Sequence, residues 1–124
     1  MRLENIQYFT ETEEEFANLF IVIGIKKNIA RALVFLAGTP EATSRAIERG
    51  TDMRQPEISI AMKYLMNQGW ITSHESPSEY KGRPIKVYKL AKPLDEIINF
   101  IETEKKTGAK NKLALVRKLK NYIR

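Results

Sequence analysis

Apolar residues recur at helical spacing in six stretches of the chain and at strand spacing in two. The sharpest helical pattern lies over 55–68, where Ile58, Ala61, Met62 and Leu65 fall on one arc and Pro56, Ser59, Ile60, Lys63 and Asn67 on the other, as a period of about 3.6 residues requires. One side is built to pack and the other is free. Ahead of it, 43–49 reads as a short helix capped by Thr43 or Ser44 and closed by Gly50, with Ala46 and Ile47 inward. Earlier still, Ile29, Ala32, Leu33 and Leu36 make a core stripe over 29–37, with Asn28 as its cap and Gly38 as its end. Thr39-Pro40-Glu41 is a turn whose proline fixes the entry to the next helix. Downstream, 69–73 leaves the helix and opens a strand that returns at 85–90, and the turn formers of 76–84 predict an exposed loop between the two. The order is helix, turn, helix, two-stranded hairpin.

Both ends of the chain also carry helical spacing. Over 12–23, Phe16, Leu19, Phe20 and Ile23 share an arc, and Glu13, Glu14 and Glu15 occupy the first turn, where negative charge suits the helix dipole. Ile21 and Val22 lie off that arc, so the helix is apolar around much of its circumference and a second buried contact is expected. After Pro93, Leu94, Ile97, Ile98 and Ile101 mark a helix over 94–106. Thr107-Gly108 interrupts it, and a final helix from Ala109 carries Leu115, Val116, Leu119, Tyr122 and Ile123 on one side. A short helix of that kind is marginal alone, so its stripe needs a surface on its own domain or on a partner subunit. Residues 1–10 show no period and read as an arm.

Glu41–Glu48, Gln55–Ser59, Leu65 followed by Gly69-Trp70-Ile71, and Gly82-Arg83-Pro84 ahead of Val87–Leu90 stand in an order that resembles the winged helix-turn-helix transcription regulators of the broad MarR, ArsR and TrmB-like group, especially small archaeal ones. The likeness covers 26–90. It implies a mainly α (α+β) fold: a three-helix core with a two-stranded β-hairpin wing, plus N-terminal and C-terminal helices. On that reading 1–25 is an arm and helix, 26–90 the DNA-binding domain, and 91–124 a pair of helices with a basic tail. In dimeric members of the group an extra N-terminal helix often contributes to the subunit interface, so a homodimer through the terminal helices is expected, the alternative being a helix buried only within its own domain. Two positions depart from the group's pattern. Arg54 stands where a serine cap is common, and Ile60 where many members place a basic or polar contact.

Composition narrows the picture. A chain of 124 residues, 43% of them hydrophobic, can build one modest core. The formal net charge of +6 makes an anionic partner plausible. That charge is uneven: residues 1–23 hold Arg2 against Glu4, Glu11, Glu13, Glu14 and Glu15, whereas 105–124 hold eight bases and no acid. Either the basic end touches nucleic acid, or the two ends lie together and neutralise. With no cysteine there is no disulfide frame and no thiolate nucleophile. His74, the single histidine, has no companion for a metal site and reads as a surface residue. No carboxylate pair, activated nucleophile or phosphate loop is visible, so an enzyme is not expected, nor is a cofactor. No apolar run reaches the roughly 20 residues that span a bilayer, and the acidic N-terminus is unlike a secretory signal. The expectation is a soluble, cytoplasmic, nucleoid-associated protein.

The candidate contacts follow from the pattern. A helix over 55–68 fits a major groove about 12 Å wide. Arg54 and Gln55 stand at its N-terminus, the end that such helices turn to base edges. Arginine can meet guanine O6 and N7, and glutamine adenine N6 and N7, each discriminating by about 1–3 kcal/mol. Pro56, Ser59, Ile60 and Lys63 continue along the same side: Ser59 and Lys63 suit phosphates, and Ile60 a thymine methyl. Glu57 repels phosphate unless it accepts from cytosine N4. A solvated helix face accounts for the same residues without DNA. Thr43 and Ser44 offer hydroxyls at a partly positive helix end, which suits a phosphate oxygen, although an N-cap needs no ligand. In the loop, Lys81, Arg83 and Lys86 place three cations in six residues, with Gly82 allowing close backbone approach. Lys81-Gly82-Arg83-Pro84 is similar to the core of AT-hook peptides, which would send Arg83 into a narrow minor groove; a basic hairpin tip on phosphates alone explains it equally. Trp70 stands where the resembled group is usually apolar, which implies a core residue.

Three functions are carried forward: a sequence-specific double-stranded DNA-binding transcription regulator, an architectural DNA-bending chromosomal protein of low specificity, and a winged-helix module for protein contacts. Nothing identifies a small-molecule effector.

Overall fold

The computed structural model describes residues 9–77 and 84–123. Two compact units divide the chain, Met1–Ala91 and Lys92–Arg124. The first contains α1 (Glu11–Val22), α2 (Lys27–Ala37), β1 (Ala42–Thr43), α3 (Ser44–Thr51), α4 (Gln55–Asn67), β2 (Ile71–Ser76) and β3 (Ile85–Leu90); the second is α5 (Leu94–Ile123).

The centre of the first unit is α2. Seven of its eleven residues are buried, Ile29, Ala30, Ala32, Leu33, Val34, Phe35 and Leu36, so it is enclosed on more than the single stripe of an ordinary surface helix. It packs against α1, α3, α4 and β3. From α3 comes Ile47, and from α4 the whole expected arc of Ile58, Ala61, Met62 and Leu65, none more than 4% exposed. Fully burying an aliphatic side chain of this size stabilises by about 1.5–3 kcal/mol. Trp70 closes the core at 3% exposure, with Tyr64 edge-on to its ring at 6.1 Å.

Helix starts explain the boundaries. Thr10 caps α1: its hydroxyl accepts from Glu13 N, and the Glu13 carboxylate accepts from Thr10 N, satisfying two otherwise orphaned donors. Ala17 and Phe20 turn inward, but Leu19 is 66% and Ile23 48% exposed. The expected arc is therefore rotated, because a helix apolar on several sides does not declare which side the core will take. α2 begins at Lys27 with Lys26 as cap, so Asn28 is inside the helix and does not cap it. Its amide instead donates to Glu57 O at 3.1 Å. α3 runs through Gly50 and ends at Asp52, which takes the left-handed conformation expected of the glycine (φ 58°, ψ 38°).

Two further differences concern architecture. Among the described residues the sheet has three strands, not two, in the order β1-β3-β2, all antiparallel. Ala42 and Thr43 pair with Tyr88 and Val87; a two-residue strand is too short for any alternation to announce it. The C-terminal region is one helix of 30 residues, not two, roughly 45 Å at about 1.5 Å per residue. Gly108 has no atom near its missing side chain, and an interior glycine costs only about 1 kcal/mol, which the surrounding lysines, glutamates and alanine offset as good helix formers. Ile97 and Ile101 are its buried residues.

One cation ties the first unit together. Arg31 on α2 donates from Nη1 and Nη2 to the two Glu14 oxygens at 2.6 and 3.2 Å, and from Nε and Nη2 to Thr51 O at 3.2 and 2.9 Å. Its guanidinium lies 4.5 Å from the Phe9 ring centre. Phe9 stacks on Phe35 and donates its N–H to Gly50 O. The guanidinium thus joins α1 to the end of α3. Its hydrogen bond holds the Glu14 carboxyl below its ordinary value of 4.5. A depressed folded pKa adds stability above the unfolded value, and that stability disappears as pH falls through the folded one. Arg31→Met should therefore cost about 2 kcal/mol in urea unfolding. Glu14→Gln should cost only about 0.5 kcal/mol near pH 7, since that side chain is nearly half exposed and screened by water, and its deficit should shrink as pH falls below the ordinary value and vanish once the lowered folded pKa is passed.

Candidate nucleic-acid interface

The turn from α3 to α4 is Asp52-Met53-Arg54. Thr51, 1% exposed, ends α3 with its hydroxyl donating to Ile47 O at 2.6 Å, Asp52 reverses the chain, and Met53 is buried as an anchor at 6% exposure. Arg54 is extended (φ −90°, ψ 159°) and precedes the first turn of α4. An arginine side chain cannot accept a hydrogen bond, so it caps nothing with its own head. The turn is closed instead by Glu57, whose Oε1 accepts from Arg54 N at 3.0 Å. Glu57, which by its place repels phosphate unless it accepts from cytosine N4, is thus occupied holding the helix start. Pro56, in the first turn, gives up no needed N–H. With Asn28 bonded to Glu57 O, the N-terminal turn of α4 is fixed from its own side chains and from α2.

The free side is as the spacing requires. Arg54, Gln55, Pro56, Ser59, Ile60 and Lys63 are all exposed, Ile60 at 61%, directly opposite the buried arc. Gln55 is not a free side chain: its Nε2 donates to Glu48 Oε1 on α3 at 3.1 Å. No spacing rule relates residues seven apart on different helices, so the pairing has no signature in the sequence.

Thr43 and Ser44 are half-buried at the start of α3. The Thr43 hydroxyl accepts from Ala46 N at 3.1 Å, so of the two caps the sequence offers it is Thr43 that serves, with Ser44 the first residue of α3. The ladder sets Thr43 opposite Val87, next to exposed Lys86, so the beginning of α3 and the base of the hairpin adjoin. Lys86 itself stands opposite Glu75 on β2. The readings of Lys81, Gly82 and Arg83 lie outside the described residues, as does that of Tyr80. His74 is half-exposed with Nε2 3.6 Å from Glu41. Among the described residues no group of three potential metal ligands occurs, and no helix is long and apolar enough to cross a membrane. A polar cleft beside the turn, bounded by Lys27, Asp52 and Glu57, holds about 190 Å³, below the roughly 300 Å³ at which small-molecule sites begin.

Three helices with α4 presented outward, followed by a hairpin braced on the helix pair, decide the architecture. The fold is a winged helix-turn-helix. No protein-family model and no curated protein matches the chain. Among solved structures, the transcriptional regulator homologue from Pyrococcus horikoshii OT3 is similar over 82% of this chain and 97% of its own, at 14% identity and a TM-score of 0.51. A PadR family transcription regulator from hypervirulent Clostridium difficile R20291 is similar over 66% of this chain and 91% of its own, at 18% identity and a TM-score of 0.45. Pex from Synechococcus sp. is similar over 68% and 84%, at 20% identity and a TM-score of 0.42. At such identities the Pyrococcus likeness is one of fold.

Because the turn depends on one left-handed residue, position 52 is a sensitive gauge of it. Asp52→Gly should leave stability unchanged or raise it slightly, whereas Asp52→Val should lower it by about 1–2 kcal/mol, read from the urea midpoint.

Proposed function

We propose that this chain is a sequence-specific double-stranded DNA-binding transcription regulator of the MarR, ArsR and TrmB-like kind, acting as a homodimer at the nucleoid. The observation that carries the proposal is the division of α4 into a fully buried arc and an exposed side bearing Arg54, Gln55, Ser59 and Lys63. A rod so anchored can enter a major groove without loosening the core. Lys86 and the loop cations, Lys81 and Arg83 with Gly82 between them, then meet the adjoining backbone or minor groove. Thr43 and Ser44 meet phosphate at the start of α3.

Dimerisation is supported by apolar surface left uncovered. On α5, Leu115, Val116, Leu119, Tyr122 and Ile123 are between 45% and 87% exposed, and Leu19 and Val22 on α1 are exposed as well, with Ile23 at its end. A two-fold dimer would set two recognition helices about 34 Å apart and favour a pseudo-palindromic site.

A second reading, an architectural protein of low specificity, is favoured by Ile60, which presents only apolar surface in the middle of the free side, and by the eight bases of 105–124.

The test is a titration of the full chain with genomic duplex fragments and with scrambled ones at matched salt. The expected result is preference for particular fragments, with affinity falling steeply as salt rises, by a slope of about 0.9 per neutralised phosphate. Reversing the charge of Arg54, Lys63, Arg83 and Lys86 together should weaken binding by at least about a hundredfold and flatten that slope. A specificity ratio near unity would favour the architectural reading. No affinity at low salt would overturn both in favour of a module for protein contacts.

A further inference from the structure

Resting on the reading of α4 as a DNA-reading helix, we infer that Glu48 is a positioning residue that orients Gln55 to read adenine. Gln55 is the first residue of α4, and Glu48 is a half-buried residue of α3 across the turn. The Gln55 Nε2 donates to Glu48 Oε1 at 3.1 Å. A carboxylate only accepts, so the side-chain amide has one orientation, nitrogen toward Glu48 and oxygen away from it. The amide nitrogen carries two hydrogens. With the hydrogen anti to Oε1 given to Glu48, the second lies beside Oε1 and forms an edge with one donor and one acceptor. Adenine presents the complementary pair in the major groove, the N6 donor beside the N7 acceptor.

Both ends of the bond sit on anchored backbone. Glu48 follows Ile47, which is 0% exposed, and the first turn of α4 is held by Glu57 and Asn28. Glutamine is a side chain rich in rotamers, and ordering it before the duplex arrives removes a cost otherwise met on binding. An acid beside the reading end of α4 also repels phosphate. Glu48 therefore weakens sequence-independent binding while its hydrogen bond sharpens the choice of base, and the two effects are separable. Glu48→Gln removes the charge and keeps an acceptor; Glu48→Ala removes both.

The experiment selects duplexes from a randomised library with the full chain at fixed salt, then measures affinity for every single base-pair substitution of the selected duplex. It is repeated with Gln55→Ala, Glu48→Ala and Glu48→Gln, each checked for unaltered thermal unfolding. Glu48→Met, which keeps the aliphatic length without an acceptor, serves if the alanine variant melts early. The expected result is an A·T step whose preference Gln55→Ala abolishes, which Glu48→Ala or Glu48→Met weakens by roughly threefold to tenfold, and which Glu48→Gln, an acceptor that can also donate and so no longer enforces one orientation, weakens less than alanine does. Both charge-removing variants should bind scrambled duplex more tightly than the wild type. If alanine and glutamine at position 48 leave the preference equally intact, or reduce it equally, the inference is wrong. If a selected duplex emerges but no step responds to Gln55→Ala, the inference is again wrong while DNA reading by α4 stands. Selection of no consensus at all overturns sequence-specific reading and this inference with it.

Discussion

The outward offer of α4 depends on how completely α2 is enclosed. A helix with seven of eleven residues buried cannot rotate or slide without exposing several of them, and a close-packed interior resists even small changes of volume. α4 rests its Ile58, Ala61, Met62 and Leu65 on that support, so the direction of its free side is inherited from the core. Arg31 adds a polar constraint to the same helix. It satisfies the Thr51 carbonyl at the end of α3 while binding Glu14 of α1, and so ties the acidic N-terminal helix to the helix pair.

Several acids that look hostile to a nucleic-acid partner have structural occupations. Glu57 closes the start of α4, Glu14 is held by Arg31, Glu13 completes the cap of α1, and Glu48 holds Gln55. A carboxylate in the first turn also complements the helix dipole. These bonds give the carboxylates fixed places without neutralising them, Glu14 with Arg31 excepted, so Glu48 and Glu57 keep their charge beside exposed Arg54.

Much of the fold was legible because α2 and α4 have clean stripes and the turn residues between elements are unambiguous. The buried arc of α4 follows the spacing residue by residue, and the core role of Trp70 is the one the resemblance implies. What escaped detection has identifiable causes. β1 is two residues long and borrows Thr43, which also caps α3. Gly108 does not break α5, because a single glycine is outweighed by many good helix formers. α1 turned a different side inward because Leu19, Ile21, Val22 and Ile23 offered more than one apolar face. At the candidate interface the exposed residues of α4 were legible, whereas the partnerships of Glu48, Asn28 and Arg31 join different helices and have no periodic signature.

The dual use of Thr43 has a mechanical outcome. Through Ala42↔Tyr88 and Thr43↔Val87 the hairpin is hydrogen-bonded to the very residues that launch α3, making β3 an inner strand with neighbours on both sides. A slip of β3 by one residue along β1 would invert its faces, turning Val87 outward and Lys86 toward the interior. The hairpin base is thereby keyed to the helix pair like a spline in its slot, and torsion applied at the loop passes into the helices before it can be lost as independent swivelling.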